Sequence, residues 1–276
     1  MNGEMRKLMT FIADYHIHLE RGPFTREWAR RFIENALSRG VTEVGFSEHG
    51  HRFPENRAML PVDWVDAELD QYLRLVRALK DEGLPVKLGL EMDYVPGFER
   101  PIAAFTAKAP FDYVIGSVHF IDGFCFDDPK NMPRWQGLDV DAMYVQYFRI
   151  LGQAARSGLF DTIGHPDVIK VFGFRPASRP DDLWQAFLEA AKASDVALEV
   201  SAAGWYKPVG EMYPDPAWLP SIKAAGIPIT LASDAHDPES PGRSFDRLLE
   251  QVTAAGIDST ACFTARQRTI RRLGRS

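Results

Sequence analysis

Cysteine is scarce in this chain, with only Cys125 and Cys262 among 276 residues. Two thiols are too few for a disulfide framework and too sparse for a thiolate metal cluster, so both are expected to be unpaired packing residues. Long apolar runs are missing too: none approaches the roughly 20 residues that span a bilayer, which predicts no membrane insertion. The segment Met1 to Met9 is short and polar, with no apolar stretch ahead of a small-residue cleavage site. It does not read as a secretory signal, and a cytoplasmic location is expected. No low-complexity linker or long charge run divides the chain, so residues 1–276 are expected to form one large domain. The net charge of −6 argues against a nonspecific nucleic-acid surface. Carboxylates that bind cations would exaggerate that figure once loaded with metal.

What is present is a repeat of short β-rich runs, most followed by a helical pattern, the mark of βα units. The runs are Leu8 to Ala13, Val41 to Ser47, Val86 to Leu90, Tyr113 to Val118, Phe160 to Gly164, Ala197 to Ser201 and Ile227 to Ala232. Most are apolar on both sides, as strands of a buried parallel sheet would be. Amphipathic stretches at Arg26 to Ser38, Ala67 to Asp81, Ala142 to Ser157, Asp181 to Ala193 and Phe245 to Ala255 suit helices packed outside it. Gly40, Gly83, Gly158 and Gly226 each follow a helical stretch and provide stops. A closed or nearly closed α/β barrel is favoured, and in such barrels functional side chains gather where strands end and βα loops begin.

All seven histidines, at 16, 18, 49, 51, 119, 165 and 236, fall at or just beyond a predicted strand end, and none in a predicted helix. Solvated or core histidines would scatter. In Asp14-Tyr15-His16-Ile17-His18 the strand period of two projects both imidazoles to one side, and Asp14 is placed to orient one ring through a hydrogen bond. Glu48-His49-Gly50-His51, Glu91, His119, His165 and Asp234-Ala235-His236 follow later runs. Glu91 reads as a carboxylate bridging two cations. Glu20 could complete a further metal position or be an ordinary loop carboxylate; His51 could bind metal, touch substrate or cap a loop.

Together with Gly89-Leu90-Glu91, Gly116-Ser117-Val118-His119-Phe120-Ile121-Asp122-Gly123, Gly164-His165-Pro166-Asp167 and Ser233-Asp234-Ala235-His236, these segments resemble the polymerase and histidinol phosphatase (PHP) superfamily. The two middle segments resemble its histidinol-phosphate phosphatase branch. The resemblance implies a distorted seven-stranded (β/α)7 barrel with two or three divalent metals (Zn, Mn, Fe or Co) at the C-terminal strand ends. It implies that His16, His18, Glu91 and Asp234 hold one ion, and Glu91, His119 and His165 a second. His49 and His236 would hold the third with a ligand from the loop after the first strand. Some relatives have another His in that loop; here Glu20 is the candidate. Glu48 stands where many relatives have Asp.

Such a centre suits hydrolysis of a small phosphate monoester, among the slowest of uncatalysed reactions. The expected chemistry is attack by a metal-bridging hydroxide, with Asp234 or His236 passing a proton to the leaving alkoxide. L-histidinol phosphate is the leading substrate. Lys170 and Arg175, in a Gly- and Pro-rich segment after His165, are candidate phosphate contacts. A nucleotide or oligonucleotide phosphoesterase and a noncatalytic metal-stabilised binding module are the alternatives.

Overall fold

The computed structural model describes residues 11–60 and 64–274. In chain order its elements are β1 (Ala13–Ile17), α1 (Arg26–Ser38), β2 (Glu43–Phe46), α2 (Leu69–Asp81), β3 (Val86–Asp93), α3 (Glu99–Thr106) and β4 (Tyr113–Ser117). A hairpin follows, β5 (Phe120–Ile121) and β6 (Phe124–Cys125), then α4 (Val140–Arg156), β7 (Thr162–Ile163), α5 (Asp181–Ala193) and β8 (Ala197–Ser201). The chain continues through α6 (Leu219–Ala225), β9 (Ile229–Ala232), α7 (Phe245–Ala254), β10 (Ser259–Thr264) and β11 (Gln267–Arg272).

Seven strands form one parallel sheet in the order β1-β2-β3-β4-β7-β8-β9. Its two edges meet at their C-terminal ends, where His18 N–H donates to Ala235 O at 2.8 Å and Ala235 N–H donates to His16 O at 3.1 Å. The sheet is thus the nearly closed barrel expected, and closure itself joins the His16–His18 segment to the Asp234–His236 segment. Among the described residues no helix is long and apolar enough to cross a membrane.

Below the strand tips the barrel is filled by aromatic rings. Tyr15 and Tyr113 stack with centroids 4.7 Å apart, and the Tyr113 hydroxyl donates to Tyr15 O at 2.6 Å. Gly45 and Gly89 admit that ring: a Cβ on Gly45 would lie 2.1 Å from the Tyr113 hydroxyl oxygen, and one on Gly89 2.2 Å from Tyr113 Cζ. Phe263 of β10 packs against both tyrosines. These rings fill the barrel interior, and a wide cavity opens at the face carrying the strand ends.

Two boundaries differ from expectation. Leu8, Met9 and Thr10 of the first predicted run lie outside the described residues, and β1 begins at Ala13 and runs through His16. Burial of Asp14 and His16 inside a strand is tolerated because each has polar partners. The β1–β2 register shifts between Asp14 and Ile17, an irregularity of the kind that re-aims side chains beside functional sites. β3 extends to Asp93, which places Glu91 within the strand, opposite Ile115 of β4. Helix α6 is the helical stretch that Gly226 was expected to stop, whereas the β5–β6 and β10–β11 hairpins and helix α3 were not expected. They are too short, or too weakly periodic, to stand out in sequence.

Candidate metal centre

Glu91 is the middle of the cluster. It is 2 % exposed, and five imidazoles surround its carboxylate. His49 Nδ1 lies 2.6 Å away, His165 Nε2 3.2 Å, His16 Nε2 3.4 Å, His18 Nε2 3.6 Å and His119 Nε2 3.7 Å. The rings come from β1 and from the segments after β2, β4 and β7. From beyond β9, Asp234 Oδ1 approaches His236 Nε2 at 3.3 Å, His18 Nε2 at 3.4 Å and His16 Nε2 at 3.8 Å. Glu20 crosses from the loop after β1, its Oε1 2.7 Å from His236 Nδ1 and its Oε2 3.2 Å from His49 Nε2. The structure therefore brings His16, His18, Glu20, His49, Glu91, His119, His165, Asp234 and His236 into one continuous site. His165 and Asp234 reach it with φ of +22° and +50°, strained values for residues with a side chain.

A burial this rich in polar groups is costly unless something satisfies them. His16 Nε2 and both ring nitrogens of His18 are buried without a hydrogen-bond partner. Ligand atoms from His16, His18 and Glu91 converge, as do those from Glu91, His119 and His165, and those from His18, His49 and His236. Inward-facing imidazole nitrogens left unpaired around a shared carboxylate are what adjacent divalent cations require.

The acids that orient these rings, Glu199 and Asp93, were not among the residues singled out in the sequence. Asp14 does not hold an imidazole: its oxygens accept from the backbone N–H groups of Ser233 and Gly242, both at 2.9 Å, and so fix the β9 exit loop. Its carboxyl is raised to about 6 by burial, against those bonds. Glu199 of β8 takes the role instead. Its Oε2 lies 2.7 Å from His16 Nδ1, while its Oε1 accepts from the His165 backbone N–H at 3.0 Å. Because a carboxylate only accepts, His16 carries its proton on Nδ1 and presents Nε2 to the centre. Asp93 does the same for His119 Nδ1 at 2.8 Å and reaches His51 Nδ1 at 3.2 Å with its other oxygen. Glu48 accepts from the Leu19 N–H and pairs with Arg52, so it shapes the loop carrying Glu20, and one of its oxygens also converges with ligand atoms of His18 and Glu20.

Burial alone would discharge the rings of His16, His18, His49 and His119. It does so for His18, whose pKa is driven well down, helped by neighbouring His49. At His16 burial is outweighed by Glu199, Glu91 and Asp234, and at His49 by Glu91 and Glu20, so both are held well above the ordinary value. At His119 Asp127 and Asp93 outweigh burial and raise it to about 10. Burial also opposes ionisation of Glu91, but His16 and His49 hold it well below the usual carboxylate range.

A cavity of about 1120 Å³ opens over the centre, lined by Glu20, His49, His51, Glu91, His119, His165, Asp234 and His236 among others. The expected phosphate contacts are not on its wall. Lys170 is 1 % exposed and paired with Asp167 at 2.7 Å, while Arg175 pairs with Glu211 at 2.7 Å. Each is consumed by an acid in its own neighbourhood, which the spacing after His165 could not reveal. The cations that do line the cavity are Arg21, Lys130, Arg134 and Lys207; of these Arg21 pairs with Asp237.

The sequence profile of the PHP domain matches residues 14–203, more than half of the chain. A protein of Deinococcus radiodurans described as a probable histidinol-phosphatase is 33 % identical over 259 residues, 90 % of this chain and 95 % of that one. The histidinol-phosphatase of Bacillus subtilis is 28 % identical, over 86 % of this chain and 98 % of its own. In fold, the chain is similar to the crystal structure of histidinol phosphate phosphatase from Lactococcus lactis, complexed with zinc, L-histidinol and phosphate. There the TM-score is 0.78 at 23 % identity, covering 94 % of this chain and 98 % of that one. By the extent of the matched profile, and by the relative that is a third identical over nearly its whole length, this chain belongs to the PHP domain family.

Proposed function

We propose that this protein is a metal-dependent phosphatase that hydrolyses a small phosphate monoester, L-histidinol phosphate, to L-histidinol and phosphate in histidine biosynthesis. The observation that carries the metal-dependent reading is the enclosure of Glu91 by five imidazoles with unpaired buried atoms between them. The substrate reading is supported by family membership and by the names of the relatives from Deinococcus radiodurans and Bacillus subtilis. Residues 1–276 act as one phosphatase domain in this reading, and the biosynthetic role suits the cytoplasm.

In this assignment His16, His18, Glu91 and Asp234 hold one divalent cation, Glu91, His119 and His165 a second, and Glu20, His49 and His236 a third. Zinc, manganese, iron and cobalt all accept such ligands. Bound cations would supply Lewis-acid polarisation of the phosphoryl oxygens and a lowered pKa for the attacking water. The protein's own contribution is positional. Glu199 and Asp93 fix which nitrogen of His16 and His119 faces inward, so little reorganisation remains as charge develops. Asp234 and His236, 3.3 Å apart, are placed to deliver a proton to the departing alkoxide oxygen. Lys130, Arg134 and Lys207 on the cavity wall draw the phosphate dianion inward, against the overall negative charge.

The test is to strip the protein of metal, restore each divalent ion separately, and compare kcat/KM for L-histidinol phosphate, nucleoside monophosphates and short oligonucleotides. L-Histidinol phosphate is expected to be the best substrate. Preference for a nucleotide would overturn the substrate, and tight metal binding without turnover of any ester would favour a noncatalytic module.

A further inference from the structure

Five acids line the cavity, and four of them are held by close partners. Glu20 is held by His49 and His236, and Glu91 and Asp234 face the imidazoles of the centre. Asp128 caps the turn after β6 by accepting from the Lys130 backbone N–H at 2.9 Å. Asp127 stands apart. Its only hydrogen bond among the described residues is a weak one from Cys125 Sγ at 3.3 Å. Neither Lys130 nor Arg134, on the same loop, forms an ion pair among the described residues, so neither neutralises it. With its side chain 27 % exposed, Asp127 is open to the cavity but partly desolvated.

Its position is set by the small hairpin. Asp122 and Gly123 both adopt positive φ, +50° and +77°, the requirement of a two-residue hairpin turn. The returning strand β6 is prolonged by Phe126 N–H donating to His119 O at 3.1 Å. Asp127 therefore lies over His119, its Oδ2 4.0 Å from Nε2. Phe120, from the first strand of the same hairpin, and Val168 and Phe172 also line the cavity, with apolar surface.

We infer that Asp127 is a specificity-determining residue that binds the ammonium group of the leaving alcohol, making this a phosphatase for esters of 2-amino alcohols. The inference rests on the phosphatase reading above and deepens it. In such an ester the nitrogen sits on the carbon beside the ester-bearing carbon, so a phosphate anchored at the Glu91 centre carries its ammonium only a short way out. Asp127, 4.0 Å from the His119 ring and paired with no other cation among the described residues, is the anion at that reach, and the apolar part of the cavity lining suits the rest of the side chain. A carboxylate there also repels substrates whose leaving group is itself anionic.

The test compares the ratio of kcat/KM for L-histidinol phosphate to that for p-nitrophenyl phosphate, whose leaving group has no ammonium, in wild type and Asp127→Asn. The ratio is expected to fall at least about tenfold, mainly through KM for the amino ester. An unchanged ratio would overturn the inference, including the case where both rates drop together because Asp127 acts only through His119. A second measurement needs only the wild-type protein: inhibition of p-nitrophenyl phosphate hydrolysis by L-histidinol and by its analogue lacking the amino group. Equal inhibition by the two would also overturn it. Wild type that hydrolyses p-nitrophenyl phosphate but not L-histidinol phosphate would count against the named substrate, while stronger inhibition by the amino compound would still support the Asp127 site.

Discussion

Glu199 grips His16, its Oε2 2.7 Å from Nδ1, while its second oxygen accepts from the His165 backbone N–H at 3.0 Å. One buried carboxylate on β8 thus orients a ring from β1 and the chain exit from β7. Removing such a partner of a metal-binding His typically costs about 10- to 100-fold in metal affinity. Glu199→Gln is expected to lower affinity by that order, read by competition with a chromophoric chelator. Unchanged affinity would show that the His16 ring is fixed by packing alone.

Glu91 contacts rings on every side, so its loss should not be partial. Glu91→Ala is expected to abolish bound metal and phosphatase activity together, measured by elemental analysis and turnover on the same preparation. A variant retaining both would defeat the bridging role.

Lys170 and Arg175 should behave as structural residues of unequal weight. Lys170→Met leaves Asp167, 2 % exposed, as an uncompensated buried acid. Breaking a buried pair this way costs on the order of 3–5 kcal/mol. Arg175→Ala removes a partly exposed pair with Glu211 and is expected to cost about 1 kcal/mol or less. Urea unfolding gives both values, and KM for the phosphate ester should move little in Arg175→Ala. A large rise in KM there would restore a substrate contact.

Metal binding should release protons. His16 and His49 are held well above their ordinary pKa and His119 at about 10, so in the metal-free protein these rings hold a proton more tightly than a free imidazole, and a cation must displace it. Metal affinity is therefore expected to rise with pH, and calorimetric heats should vary with the ionisation enthalpy of the buffer. For the metal-free fold the sign follows from a raised histidine pKa. That contribution from His119 is complete below the unfolded value of about 6.5 and is lost as pH climbs toward 10. Binding without proton release would show that the rings are neutral beforehand.

The histidines could be located without coordinates because metal ligands and strand ends both leave local marks: an apolar run, a period of two, then an imidazole or carboxylate. Asp93 was within reach of the same logic, standing two residues past Glu91 on one strand and so on the same side. Glu199 left a fainter mark, a single acid in the otherwise apolar-to-small run Ala197–Ser201. Nothing local distinguished Lys170, paired to Asp167 within its own turn, from Lys130, which lines the cavity. Asp14, beside the His pair in sequence, turned its carboxylate to the β9 exit instead.

By itself the sequence determined the alternation of strands and helices, the strand ends where the imidazoles gather, and with them the kind of chemistry the chain can support. Those properties are written in periodicity and residue type, which act over a few neighbouring positions. Barrel closure, the pairing of each ring with its orienting acid, and which cations and acids stay unpaired around the cavity were decided only in three dimensions. Hydrogen bonds and ion pairs join atoms by distance and direction, and partners such as His16 and Glu199, 183 residues apart, have no local signal to announce one another.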